Sequence, residues 1–124
     1  MTLTDIIVPV KEEYPDASQS QICHTVNELE HKIIHEVLKP AGLSHRNSPL
    51  RIKQDMKTEL LLGEEFFSVY LNYVLSFFAF TEGDYDRYNA LAALFTEGYA
   101  QMAAYYRKKY IPICGASDPG GNLL

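Results

Sequence analysis

Large and apolar residues recur along the last third of the chain at Tyr88, Ala92, Phe95, Tyr99, Met102 and Tyr106. The steps alternate between four and three, which places them on one face of a helix in a heptad-like seam. The seam is aromatic rather than leucine-rich. Asp84 stands at its start as an N-cap and Pro112 lies just past its end, so the spacing predicts a helix from Asp84 to about Tyr110. A helix built this way exists to pack. Its partner is either the rest of this chain or another copy of it.

Three further helical patterns precede it. Leu3, Ile6, Ile7 and Val10 make one apolar face of a helix from about Leu3 to Tyr14, with Thr2 and Asp5 as its capping signal. Pro9 removes a backbone donor inside that helix, which predicts a short or kinked element. Ser18 with Gln21 three residues on reads as a capping box. Ile22, Val26, Leu29, Ile33 and Val37 then mark one face of a second helix from Gln19 to about Lys39, stopped by Pro40 and Gly42. A third helix runs from about Glu64 to Thr81. Phe66, Tyr70, Tyr73, Val74, Phe77 and Phe80, widened by Phe67, Leu71 and Phe78, cover most of its circumference. That breadth predicts the most buried helix of the molecule, with Phe77 in the core. Gly83 ends it.

Between Pro40 and Gly63 the periodicity fails. Pro40, Gly42, Ser44, Asn47, Ser48 and Pro49 are loop residues, and Leu50, Ile52 and Met56 are expected to form a short extended piece. Loops this long are often functional or mobile. After Pro112 no packing pattern remains. The expected fold is therefore all-α: a helical domain over residues 1–112 with four main helices, a long loop between the second and third, and a flexible tail over residues 113–124.

At 124 residues the chain is long enough to bury a core without disulfides or metals. A hydrophobic fraction of 47% is ordinary, but nine Tyr and six Phe without Trp is a heavy aromatic load, of the kind that suits half-wet surfaces. The formal net charge of -5 argues against a protein that grips nucleic acid by its phosphates. The one basic cluster, Arg107-Lys108-Lys109, falls at the expected end of the last helix, where cations meet unpaired carbonyls. Cys23 and Cys114 form no CxxC pair, which points to a reducing compartment. The N-terminus has no basic region before an apolar one, and the stretch from Phe66 to Phe80 is too short to span a bilayer.

Candidate chemistry centres on the second helix. His24, Glu28, His31 and His35 form one stripe, and Glu28-x-x-His31 has the spacing of carboxylate-bridged di-iron bundles. A closed site of that kind needs a second such motif and two further glutamates on other helices, and the sequence supplies no second motif. The stripe lies opposite the apolar face of its helix, so it is expected to face solvent or a partner, and no cofactor is expected. His35-Glu36 begins like a zinc-protease signature, but position 39 is Lys. Glu82, Asp84 and Asp86 read as helix capping. Ser44, His45 and Ser48 lack a positioned acid, which leaves no activated nucleophile.

Three stretches carry a family resemblance: Glu13-Tyr14-Pro15; Asn27-Glu28-Leu29-Glu30 followed by Lys32-Ile33; and Asp86-Arg87-Tyr88-Asn89 with Phe95, Tyr99, Ala103, Tyr105-Tyr106-Arg107 and Pro112. With Leu60-Leu61-Leu62 and Tyr70-Leu71 between them, residues 3 to 112 resemble the head–tail connector (adaptor, or head-completion) proteins of tailed phages and of prophages in low-GC Gram-positive bacteria. The chain departs from the pattern at Pro9, at Thr25-Val26 where an aromatic is expected, and at Ala90 and Thr96 where asparagines are expected.

The resemblance implies a structural virion assembly protein and not an enzyme. Such proteins form a ring, commonly of twelve copies, beneath the portal. The ring extends the DNA channel and receives the tail or a stopper protein. The implied partners are the portal, the tail or stopper proteins and further copies of the chain, with no specific nucleic-acid contact and no membrane. The implied places are the bacterial host cytoplasm during assembly and the head–tail junction of the virion. Packing or interface roles are expected for Tyr88, Phe95, Tyr99, Met102, Tyr106 and Phe77. Two other classes stay open: a small helical metal-binding or enzymatic bundle using the His24/Glu28/His31/His35 stripe, and a cytoplasmic regulator that binds a protein partner.

Overall fold

The computed structural model describes residues 1–46, 48–52 and 54–110, except for the side chains of Lys109 and Tyr110. The tail expected over residues 113–124, Pro112 and Cys114 all lie outside the described residues. Four helices make an all-α bundle: α1 (Leu3–Glu13), α2 (Gln19–Ile33), α3 (Phe67–Thr81) and α4 (Tyr85–Tyr110). No strand occurs among the described residues. The expected extended piece at Leu50, Ile52 and Met56 is absent, since Ile52 and Met56 lie in turns. The one extended contact is an isolated bridge between Thr2 and Glu59.

The helix ends follow the local sequence. The Asp5 carboxylate accepts the Thr2 N–H at 2.9 Å and opens α1, which runs as a short helix through Pro9. Ser18 Oγ accepts the Gln21 N–H at 3.0 Å, and the Gln21 side chain returns to the Ser18 N–H. Gly83 takes φ 78°, the left-handed conformation that ends α3 and that a side chain would resist. Asp84 Oδ1 then accepts the Arg87 N–H at the start of α4.

One end differs from the expectation. The second helix does not finish as α-helix: Ile34–Leu38 is a π-helical turn, and Gly42 at φ 74° closes the element. The wider turn shifts the register of the residues that follow, and it still leaves Val37 and Leu38 buried.

α3 and α4 form an antiparallel hairpin. Aromatic pairs mark its length: Phe66 against Tyr105 and Tyr106, Tyr73 against Phe95 at 5.0 Å between ring centroids, and Phe80 against Tyr88 at 5.2 Å. The predicted seam faces this partner. Met102 is fully buried, and Tyr88, Phe95, Tyr99 and Tyr106 are half-buried against the core. α1 and α2 pack on the other side of α3, and the π-helical turn reaches α4. Leu3, Ile6, Val10, Ile22, Val26, Leu29, Ile33, Tyr70, Val74 and Met102 fill the centre.

Phe77 is not a core residue: it is 36% exposed. The buried positions of α3 include Val69, Tyr70, Val74, Leu75, Phe78 and Ala79, and Phe78 stacks on Tyr14 with centroids 5.7 Å apart. α3 is central, since the other three helices all pack on it, but α2 buries as many residues, so α3 is not the single most buried helix. A helix apolar on nearly every side offers no phase by which to choose its inner face. Among the described residues no helix is long and apolar enough to cross a membrane.

Candidate functional site

Two neighbouring side chains of α2 hold the long loop. Asn27 and Glu30 are three positions apart, so they share a helix face. The Asn27 amide accepts the Leu50 N–H at 2.8 Å and donates to the Leu50 carbonyl at 3.0 Å. It thus satisfies both backbone groups of a residue that is itself buried. Glu30 is 2% exposed. Its Oε1 accepts from Arg46 at 2.9 Å, and its Oε2 accepts from the Leu61 N–H at 2.9 Å and from the Tyr70 hydroxyl at 2.7 Å. The Tyr70 oxygen in turn accepts the Leu62 N–H at 3.2 Å.

A buried carboxylate is costly unless it is paired and hydrogen-bonded, and here one guanidinium and two further donors meet it. Burial, reinforced by the Glu30 charge, pushes the Tyr70 phenol far above its usual range, so it stays a proton donor to Glu30. Cys23 sits beside the same anchor: its Sγ lies 3.5 Å from the Leu50 carbonyl, and burial raises its thiol pKa. The described residues of the loop therefore form a strap pinned at Arg46, Leu50, Leu61 and Leu62.

The histidine stripe borders this strap. His24, Glu28, His31 and His35 are exposed, as expected. His24 Nε2 lies 3.6 Å from a Glu28 oxygen, and the rings of His31 and His35 are 4.3 Å apart. His24, Glu28 and His31 form one wall of an open groove of about 530 Å³ whose other wall is Arg46, Ser48 and Pro49. The stripe thus faces a groove as well as solvent. Among the described residues no group of three or more metal-ligating side chains converges. His45 turns to the Arg46 carbonyl at 3.1 Å, away from any serine partnership.

Two polar joints tie the helices together. Arg87 pairs with Glu13, and its Nε donates to the Tyr14 hydroxyl at 3.3 Å, which fixes the end of α1 to the start of α4. Tyr99 donates to Glu36 at 2.7 Å, and Lys32 reaches the same carboxylate at 3.1 Å while lying over the Tyr99 ring. The Tyr99 hydroxyl, with Lys32, holds the Glu36 carboxyl below the usual carboxylate range.

Exposed rings gather at the α3–α4 turn. Phe80 and Tyr85 are 55% and 57% exposed, and their rings stand 5.5 Å apart. Phe80, with Tyr73, Ser76, Phe77 and Tyr88, lines a shallow hollow of about 240 Å³, and Tyr85 stands beside it. Exposed rings clustered in this way mark contact surfaces more often than single exposed hydrophobes do.

Sequence reasoning missed Glu30, Arg46 and the role of Tyr70. One signal was present: Glu30 stands four residues after Val26 and three before Ile33, on the apolar side of its helix. Some of the residues that carry the family resemblance are joint residues. Glu13, Tyr14 and Arg87 form one joint, and Asn27, Glu30, Leu61 and Tyr70 form the other. Comparison with protein-family models, with curated proteins and with solved structures finds no match.

Proposed function

We propose that this protein is a head–tail connector, a structural assembly protein whose copies form a ring beneath the portal of a tailed phage or prophage and extend its DNA channel. One observation carries the reading. Seven of the residues that resemble the connector family, Glu13, Tyr14, Asn27, Glu30, Leu61, Tyr70 and Arg87, join α1 to α4 or strap the loop to α2. A resemblance spread over unrelated surface positions would mean little. This one falls in part on residues that determine how the elements meet.

Two further features support it. The acidic balance suits a conduit that repels DNA phosphates instead of gripping them. The aromatic patch at the α3–α4 turn supplies a contact surface of the kind an assembly protein needs.

The test is to look for portal, capsid and terminase genes beside this one and to reconstitute the chain with that portal, read by sedimentation and by electron microscopy of the complex. A ring of this chain on the portal is the expected outcome. A chain that never joins the portal would sink the reading. Stoichiometric zinc or iron, retained through dialysis and lost on His31→Ala, would favour the metal-bundle reading in its place.

A further inference from the structure

The two ends of α4 carry opposite charge. Around the aromatic patch stand Glu82, Asp84 and Asp86, all exposed. Asp84 is occupied by capping, and the one cation of this stretch, Arg87, is held by Glu13. Among the described residues neither Glu82 nor Asp86 has an ion-pair partner, and the same is true of the exposed Arg107 and Lys108 at the other end of the helix. At 1.5 Å per residue, Asp86 and Arg107 lie roughly 30 Å apart. That is several screening lengths at physiological salt, so the two ends of α4 do not neutralise each other within one molecule.

A second copy can. Its basic end complements an acidic rim, and its cations complement exposed ring faces. The rim repels phosphate, anionic headgroups and acidic partners alike, which leaves a cationic occupant as the one that fits. We propose that the patch formed by Phe77, Phe80 and Tyr85, with Glu82 and Asp86 at its rim, docks the Arg107–Lys108 turn of a second copy of this chain. The contact joins two different faces, so it is heterologous, and each copy can both give and receive it. This inference rests on the self-association in the reading above and names the surfaces that make it.

Sedimentation of the full chain at high concentration and low salt tests the contact. Concentration-dependent association is expected, and it weakens as salt rises. Phe80→Ser with Tyr85→Ser should weaken the dissociation constant by roughly tenfold or more, and Arg107→Glu with Lys108→Glu should do the same. Adding Glu82→Lys and Asp86→Lys to the second pair should restore it. This charge swap stands alone should the aromatic variant fail to fold, as circular dichroism will tell. Mixing the patch variant with the basic-end variant should give a dimer and nothing larger, since each brings one intact face.

Association insensitive to both pairs, or a wild type that stays monomeric throughout, overturns the contact. So does a patch variant that self-associates normally but no longer joins the portal, because the patch would then belong to the portal. A chain that associates as described yet never joins the portal keeps the contact and sinks the connector reading.

Discussion

Between Pro40 and Gly63 the described residues form almost no regular structure, yet side chains from α2 fix them in place. Between Phe67 and Tyr110 it is nearly all helix, yet rings at its turn face solvent. The first region is held by a few directional bonds to a buried carboxylate and one amide, beside the buried side chains of Leu50, Leu60 and Leu62. The second is held by the many small contacts of interdigitated aromatic side chains. Directional bonds determine a single arrangement, and losing one partner leaves the others unpaired. Aromatic packing is more forgiving, and it leaves surface to spare for contact with another molecule.

The sharpest way to break this contrast is at Glu30. Glu30→Ala strands Arg46, the Tyr70 hydroxyl and the Leu61 N–H, and should cost about 3–5 kcal/mol by urea denaturation. Tryptic cleavage after Arg46 and Arg51 should accelerate with it. Asn27→Ala, which releases only Leu50, should cost about 1–3 kcal/mol. If both variants lose less than about 1 kcal/mol, packing holds the strap and the polar anchors are incidental.

On the hairpin side the contrast sharpens between adjacent rings. Phe78→Ala should cost about 3–5 kcal/mol because Phe78 is buried against Tyr14. Phe77→Ala should cost about 1 kcal/mol or less, because that ring is partly wet already. Equal losses in thermal or urea denaturation would place Phe77 in the core after all.

The smallest effect is expected at Tyr99. Its hydroxyl is the main cause of the lowered Glu36 pKa. A carboxylate with a depressed folded pKa adds stability that is complete above its unfolded pKa and is lost as pH falls through the folded value. Tyr99→Phe raises the folded pKa back toward its ordinary value. The wild type should therefore exceed the variant by less than about 1 kcal/mol at neutral pH, because Glu36 is half exposed and water screens the pair. The difference should shrink as pH drops below the usual carboxylate range, and denaturation midpoints from neutral to acid pH measure it. A gap that stays constant over that range would mean that the hydrogen bond does not favour the ionised carboxyl.

What the sequence revealed depended on whether a residue's role was local. The Ser18 and Asp84 caps, the Gly83 stop and the α4 seam were legible because spacing alone encodes them. Glu30 was not, because a glutamate on a helix reads as solvated until its partners at Arg46, Leu61 and Tyr70 are known. The strap was misread for the same reason. Leu50, Leu60 and Leu62 are buried but follow no period, since helices elsewhere in the chain decide which of them turns inward. Phe77 was misplaced beside Phe78 because an all-round apolar helix carries no phase. The histidine stripe was read correctly as exposed, but its groove requires a second wall that is distant in sequence.

The anchoring of the strap at Leu50 and Leu60–Leu62 has a consequence for how this chain can change over time. With both ends of the interval fixed, its interior is a closed loop whose entropy grows only with the logarithm of its length, about 0.6 kcal/mol for each doubling. Insertions between Arg51 and Thr58 therefore cost the bundle little, provided that Ile52 and Met56 keep their packing on the core and Thr4 its bond to the Met56 carbonyl. Lineages that share this scaffold are free to diverge there first, and foreign peptide can be grafted there with the least penalty.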